Sequence, residues 1–155
     1  GFSPAHVNRA DLLRALGRES EATEGLREAI ARNPQDAVLH HALGLSLIRQ
    51  NQREAGLREL AEALRLAPDD ARLAYVYGVG LHDLGQTRAA EQVLESALQS
   101  RPNDENTLFA LASYLAEAGE LERALPYARR LAELAPQDPR ARALVDRLEA
   151  SLPGR

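Results

Sequence analysis

Four prolines, Pro34, Pro68, Pro102 and Pro136, stand 34 residues apart along the chain. Two places after each comes an acidic residue, at Asp36, Asp70, Asp104 and Asp138, so that P-x-D is written four times, as NPQDA, APDDA, RPNDE and APQDP. A period held this strictly over most of 155 residues leaves room for little except stacked copies of one supersecondary unit. The local chemistry agrees. Proline has no N–H and keeps the residue before it out of the helical region, so it ends a helix. The Asp then accepts backbone N–H bonds from the first turn of the next helix, a cap worth about 1 kcal/mol.

Midway between these boundaries the apolar pattern breaks once, at Gly17, Asn51, Gly85 and Gly119. Gly or Asn suits a helix C-terminus where the chain must turn left-handed. Each unit therefore reads as helix, short turn, helix. The pattern predicts first helices near 4–16, 37–50, 71–84 and 105–118, with partners near 19–32, 53–66, 87–100 and 121–134. After Asp138, Pro139 takes the first helical position of a single helix running to about Leu152. Its Leu144, Val145, Leu148 and Leu152 form an apolar side against polar Arg142, Asp146 and Glu149, as a closing cap on stacked hairpins requires.

Composition removes several function classes. There is no cysteine, which excludes disulfides, thiolate nucleophiles and thiolate metal sites. All 19 basic residues are Arg, which excludes Schiff-base lysines and reads as the codon usage of a GC-rich bacterial genome. A net charge of -4 argues against nucleic acid as a partner, because neutralising phosphates needs a basic stripe. No apolar run approaches the roughly 18 residues that cross a bilayer, so no membrane insertion is expected. No signal peptide is visible, and the chain does not open on Met. We read it as a piece of a larger bacterial protein, with Phe2-Ser3-Pro4 standing where an upstream repeat would end.

The spacing and the residues at fixed places resemble the tetratricopeptide repeat (TPR) family, whose pattern is a large residue, Leu-Gly, an aromatic, then small, Phe, small and Pro. The second unit carries His40, Leu43-Gly44, Leu47, Gly56, Leu60, Ala63 and Pro68 at those places. The third carries Ala74, Tyr77-Gly78, Leu81, Ala90, Leu94, Ala97 and Pro102, and the fourth Leu108, Leu111-Ala112, Leu115, Ala124, Ala128, Leu131 and Pro136. The first is looser: His6, Arg9-Ala10, Leu13, Ala22, Leu26, Ala29 and Pro34. The resemblance implies an all-α fold, a right-handed α-solenoid of four helical hairpins (3–36, 37–70, 71–104, 105–138) plus a C-terminal capping helix (139–152), in one continuous domain. Two departures stand out. Arg9 occupies a place that is usually a core Leu, so the first hairpin is expected to pack poorly or to await a neighbour. Pro126 falls inside the last repeat helix, where it either kinks that helix at a cost of about 3 kcal/mol or marks a later start.

Catalytic constellations are missing. His6 and His40 sit at large-residue packing places, and His40, His41 and His82 offer no pair at i, i+4 for a metal. Gly78, Gly80 and Gly85 lack the preceding strand of a phosphate loop. Ser20, Ser46, Ser96, Ser100, Ser113 and Ser151 have no base placed by motif, and Asp69-Asp70 and Asp104-Glu105 are helix starts. The chain is expected to be no enzyme, with no cofactor of its own.

What remains is surface. In TPR proteins the first helix of each hairpin lines a concave groove. Carried over residue by residue, the groove places here include Val7, Asn8, Asp11 and Arg14; His41, Ala42, Leu45, Ile48 and Arg49; Arg72, Tyr75, Val76, Val79, His82 and Asp83; and Asn106, Phe109, Ala110, Ser113 and Glu117. His41, Leu45, Tyr75, Val79 and Phe109 make an apolar, partly aromatic stripe suited to a partner helix or extended peptide, unless the fold or a neighbouring part of the parent chain covers it. The carboxylate clamp of some family members is absent: its places hold Val7, Asp11 and Ala42, with only Arg72 matching. Backbone-holding Asn residues are absent too, since Asn8 is followed by Ala42, Val76 and Ala110. The leading expectation is a scaffold binding a protein or peptide partner. A second stems from FSPAHVNRADLLRALGRESEA, LHHALGLSLIRQ, ARLAYVYGVGLHDLGQ and LFALASYLAEAGELERALPYARRL, which resemble C-terminal repeats of bacterial multihaem c-type cytochromes. That resemblance implies a docking arm in the periplasm, with haem outside this chain; otherwise a cytoplasmic location is expected. A third expectation is a homo-oligomer through the uncapped N-terminal hairpin.

Overall fold

The computed structural model describes residues 3–152, among which there are nine α-helices and no strand. They are α1 (Ser3–Ala15), α2 (Glu19–Arg32), α3 (Ala37–Arg49), α4 (Arg53–Leu66), α5 (Ala71–Asp83), α6 (Thr87–Ser100), α7 (Glu105–Glu117), α8 (Leu121–Leu134) and α9 (Pro139–Ser151). Each lies within about a residue of where prolines, aspartates and turn residues place it. Phe2 lies outside the described residues.

The punctuation works by the expected chemistry. Gly17, Asn51, Gly85 and Gly119 have φ of 74°, 61°, 73° and 79°. This left-handed residue lets the two following bonds fold back onto the helix. In the second hairpin Asn51 N–H donates to Ile48 C=O at 2.9 Å and Gln52 N–H to Leu47 C=O at 2.9 Å. The same pair of bonds recurs at Gly17–Arg18, Gly85–Gln86 and Gly119–Glu120. At the other boundary, Asp36 accepts from the N–H groups of Val38 and Leu39, Asp70 from Arg72 and Leu73, Asp104 from Thr107, and Asp138 from Arg140. Carboxylates thus start α3, α5, α7 and α9, and left-handed turns precede α2, α4, α6 and α8.

The chain divides into two compact units, Gly1–Gly80 and Leu81–Arg155. In the first, Leu26, Ala29, Leu39, Leu43 and Leu47 form a buried cluster flanked by Val7, Ala10, Ile30, Ala42 and Ala55. α3 and α4 cross at Gly44 and Gly56. A Cβ on Gly56 would stand 2.7 Å from Gly44 C=O oxygen, and one on Gly44 2.9 Å from the Gly56 oxygen, so only hydrogens fit between the backbones. The contact between one hairpin and the next is made differently each time. Thr23 of α2 and Ser46 of α3, both buried, share a 2.8 Å hydroxyl hydrogen bond. The places 34 residues on hold Leu57 and Gly80, where a Cβ on Gly80 would meet Leu57 Cδ2 at 2.5 Å. Two small hydroxyls face each other in one contact, and a bulky side chain faces a bare helix in the other.

Arg9 resolves the first departure. Its side chain is exposed rather than buried in a core place, and its guanidinium reaches over α2 to within 3.7 Å of where a Cβ on Gly25 would be. α1 consequently buries Leu13 alone, the least of any helix in this unit with its buried residues described. It still joins the core through Val7 and Ala10.

In the second unit α7 packs on α6 and α8, and Leu94, Leu108, Leu111, Leu115 and Leu131 are buried, as are Ala112 and Ala124. Ala141, Leu144 and Leu148 of α9 are buried as it packs on α8 and α7. The cap's apolar side therefore centres on these three, while Val145 and Leu152 are half-buried. Pro126 lies inside α8, which begins at Leu121. The later start that would have made this proline harmless is not adopted. Its missing N–H leaves the C=O of Glu122, an exposed residue, without its intrahelical donor.

Candidate functional site

Within the first unit the groove places fall on α1, α3 and α5. Asn8 and Asp11 are exposed, and Asp11 is paired with Arg14 at 3.4 Å. Arg49 is turned toward α2, donating from Nε and Nη2 to Glu19 at 3.1 and 3.0 Å. The same Glu19 oxygen accepts from Ser46 at 2.7 Å. Desolvation pushes the Glu19 carboxyl up, but the Ser46 and Arg49 hydrogen bonds, aided by the Arg49 and Arg14 charges, more than offset it and hold it below the ordinary value. Arg49 is thus tied to α2 through Glu19, with its side chain still exposed.

His41, Leu45, Tyr75 and Val79 are half-buried and Arg72 is exposed. His41 is the informative one. Its Nε2 is buried and has no hydrogen-bond partner, an uncommon state for a buried polar atom. Burial pushes its imidazole below the ordinary value, and the Arg72 charge pushes the same way, against Asp70. A neutral ring beside an uncovered cation is left with one unused polar position. Its chain neighbour is different: His40 is buried, with Nδ1 2.7 Å from Glu59 and Nε2 3.1 Å from Pro34 C=O, and so is a structural residue.

Within the second unit, Phe109 keeps 37% of its surface exposed on α7, and Ser113 beside it is half-buried. The His82 ring stacks on Tyr114, with centroids 3.6 Å apart and planes inclined by 3°, and its Nε2 lies 3.2 Å from Glu117. Arg140, from the capping helix, places its guanidinium 5.7 Å from the Phe109 ring centre. Elsewhere in this unit, Arg123 pairs with Glu91, Glu95 and Glu120, and the Glu120 and Glu95 hydrogen bonds raise its already high pKa. That cluster is a clasp between α6 and α8.

Two contributors escaped sequence reasoning. Val38 is 53% exposed and occupies in α3 the place that Arg72 holds in α5, 34 residues on; that offset was the signal available for it. Arg140 belongs to the cap, outside the repeats from which groove places were carried over. Among the described residues no group of three or more His, Cys, Asp or Glu could hold a metal ion, and no helix is long and apolar enough to cross a membrane.

A family model for the tetratricopeptide repeat matches residues 5–144. The chain belongs to the tetratricopeptide repeat family. No curated protein sequence matches it. Solved TPR structures do so by fold. MamA from Desulfovibrio magneticus RS-1 superposes with a TM-score of 0.81 at 18% identity, covering 97% of this chain and 85% of that one. YrrB, titled a TPR protein with an unusual peptide-binding site, gives 0.78 at 23% identity over 94% of this chain and 75% of that one. A TPR protein from Parabacteroides merdae ATCC 43184 gives 0.86 at 19% identity over 97% of this chain and 61% of that one. At these identities the likeness is one of fold, and the all-α TPR architecture is established by it. TPR domains are in general interaction scaffolds, and that coarse description applies here.

Proposed function

We propose that the chain binds a partner peptide or helix on its first-helix faces, as a protein-interaction scaffold that itself catalyses nothing. The observation that carries this is which large apolar side chains remain uncovered. Of the four that are exposed among the described residues, Val38 and Phe109 stand on the first helices α3 and α7, whose groove places also hold half-buried Leu45 and Ser113, while α5 carries half-buried Tyr75 and Val79. Uncovered aromatic and aliphatic groups beside polar atoms lacking partners are the usual ingredients of an anchor site. YrrB's title supports the reading by describing peptide binding on the same fold.

The test replaces one anchor in each unit. Tyr75→Ala with Phe109→Ala is expected to leave the helical circular dichroism and cooperative melting intact. It should abolish retention of the partner that the immobilised wild-type chain takes from an extract of its host. Equal retention by the folded double variant would remove the proposal.

A second reading has its own observation. Leu12 and Leu16, at the end of α1 and in the turn after it, are each 61% exposed, and an exposed apolar pair of this kind suits contact with a second copy of the chain.

A further inference from the structure

The capping helix does more than close the fold. Residues Arg140, Ala143 and Arg147 recur at i, i+3 and i+7, so they share one side of α9, and all three are exposed. That side borders Phe109, because the Arg140 guanidinium lies over the Phe109 ring. Asp138, the N-cap of α9, accepts from Nε of Arg140 at 3.1 Å and from Nη2 at 2.8 Å. This pairing fixes the guanidinium plane while Nη1 keeps its protons without a partner among the described residues. Arg147 has no ion pair among those residues. Across the groove, Asn106, Phe109 and Ser113 carry no charge, and the acidic residues of α7, Glu105 and Glu117, stand near its two ends, Glu117 beside His82. An uncharged floor centred on Phe109 is therefore bordered on one side by Arg140, oriented in advance by Asp138, and by Arg147 further along α9.

We propose that this face between α7 and α9 binds an acidic peptide segment, in which an aromatic or aliphatic side chain packs on Phe109 and an adjacent carboxylate is taken by Arg140, with Arg147 holding a second acid further along. The proposal rests on the groove reading and specifies its partner. Guanidinium suits this role because its planar fork matches a carboxylate and tolerates an aromatic face at the same time. The Asp138 pair leaves only part of that fork available, so one oxygen is bound at Nη1 and contact with Arg147 supplies the rest of the discrimination.

Short random peptides displayed on phage are selected against the whole chain, and the enriched ones are titrated by fluorescence anisotropy. The expected result is enrichment of peptides with Asp or Glu within two residues of an aromatic or aliphatic side chain. Arg140→Gln and Arg147→Gln should each weaken binding, together by about tenfold or more, and Asp→Asn or Glu→Gln in the peptide should do the same. Phe109→Ala should weaken every enriched peptide, and added salt should narrow the difference between wild type and the Arg variants. Using two Arg variants guards against misfolding of either, with the melting curve as control. Neutral or basic peptides, no enrichment, or binding indifferent to both Arg changes would overturn the proposal. If such peptides still respond to Tyr75→Ala or Phe109→Ala, the groove reading survives it; if they respond to neither, both fall.

Discussion

His41 shows how much one residue can carry. The ring is half-buried, its Nε2 has no partner, and its proton affinity is depressed first by burial and then by Arg72. The sign of the stability effect follows. The unfolded chain takes up this proton near the ordinary imidazole value of 6.5, while the folded chain resists it to lower pH. The unfolded state then holds more protons in that window, so the contribution is fully present above about 6.5 and is lost as pH falls toward the folded value. Urea unfolding at stepped pH is expected to show stability falling on acidification, with a shallower slope in His41→Gln. Equal slopes in the two proteins would refute the assignment. Comparing slopes cancels every contribution that the two proteins share.

Elements here are defined by small residues as much as by large ones. Gly56 faces backbone: a methyl group there would meet Gly44 oxygen at 2.7 Å and Ile48 Cγ1 at 2.6 Å. Gly80 meets only the end of a side chain, Leu57 Cδ2, which can swing aside. Gly→Ala normally favours a helix by about 1 kcal/mol. At Gly56 the overpacking of two backbones should win, giving a net loss of about 1–3 kcal/mol, whereas Gly80→Ala should be near neutral. Chemical denaturation of the two variants checks this; a Gly56→Ala protein as stable as wild type would mean that α3 and α4 can separate at no cost. Pro126 makes the converse point. A proline six places into α8 is locally unfavourable, yet the helix still begins at Leu121 because Gly119 sets the turn and Ala124, Leu125, Ala128 and Leu131 are buried from that register. Several buried side chains outweigh one lost hydrogen bond.

At the scale of the whole molecule, charge and uncovered surface act against each other. A net charge of -4 keeps copies apart, while Leu12 and Leu16 offer an apolar face. Arg9 on the same side of α1 limits that face, since its charge must stay hydrated or find a carboxylate. Light scattering over a dilution series is expected to show a larger species at high concentration that dissociates on dilution. Leu12→Glu should abolish it without loss of helicity. A strictly monomeric chain at every concentration would remove the self-association reading and leave the scaffold reading untouched.

Helix number, helix ends and fold family were all legible before any coordinate, because each rests on chemistry within a few residues: proline without its N–H, Asp as cap, Gly or Asn in the left-handed turn, repeated at one period. The places where residues from distant parts of the chain meet were not. Sequence alone left Arg9 as a packing problem, and the structure turns it out over Gly25. It left two courses open for Pro126, and burial along α8 selects one. It placed Phe109 on the groove but could not foresee Arg140 above it, since that contact joins the fourth hairpin to a cap that no repeat pattern describes. Local hydrogen bonding writes the helices into the sequence; which side chains end on one shared face is decided only when those helices pack.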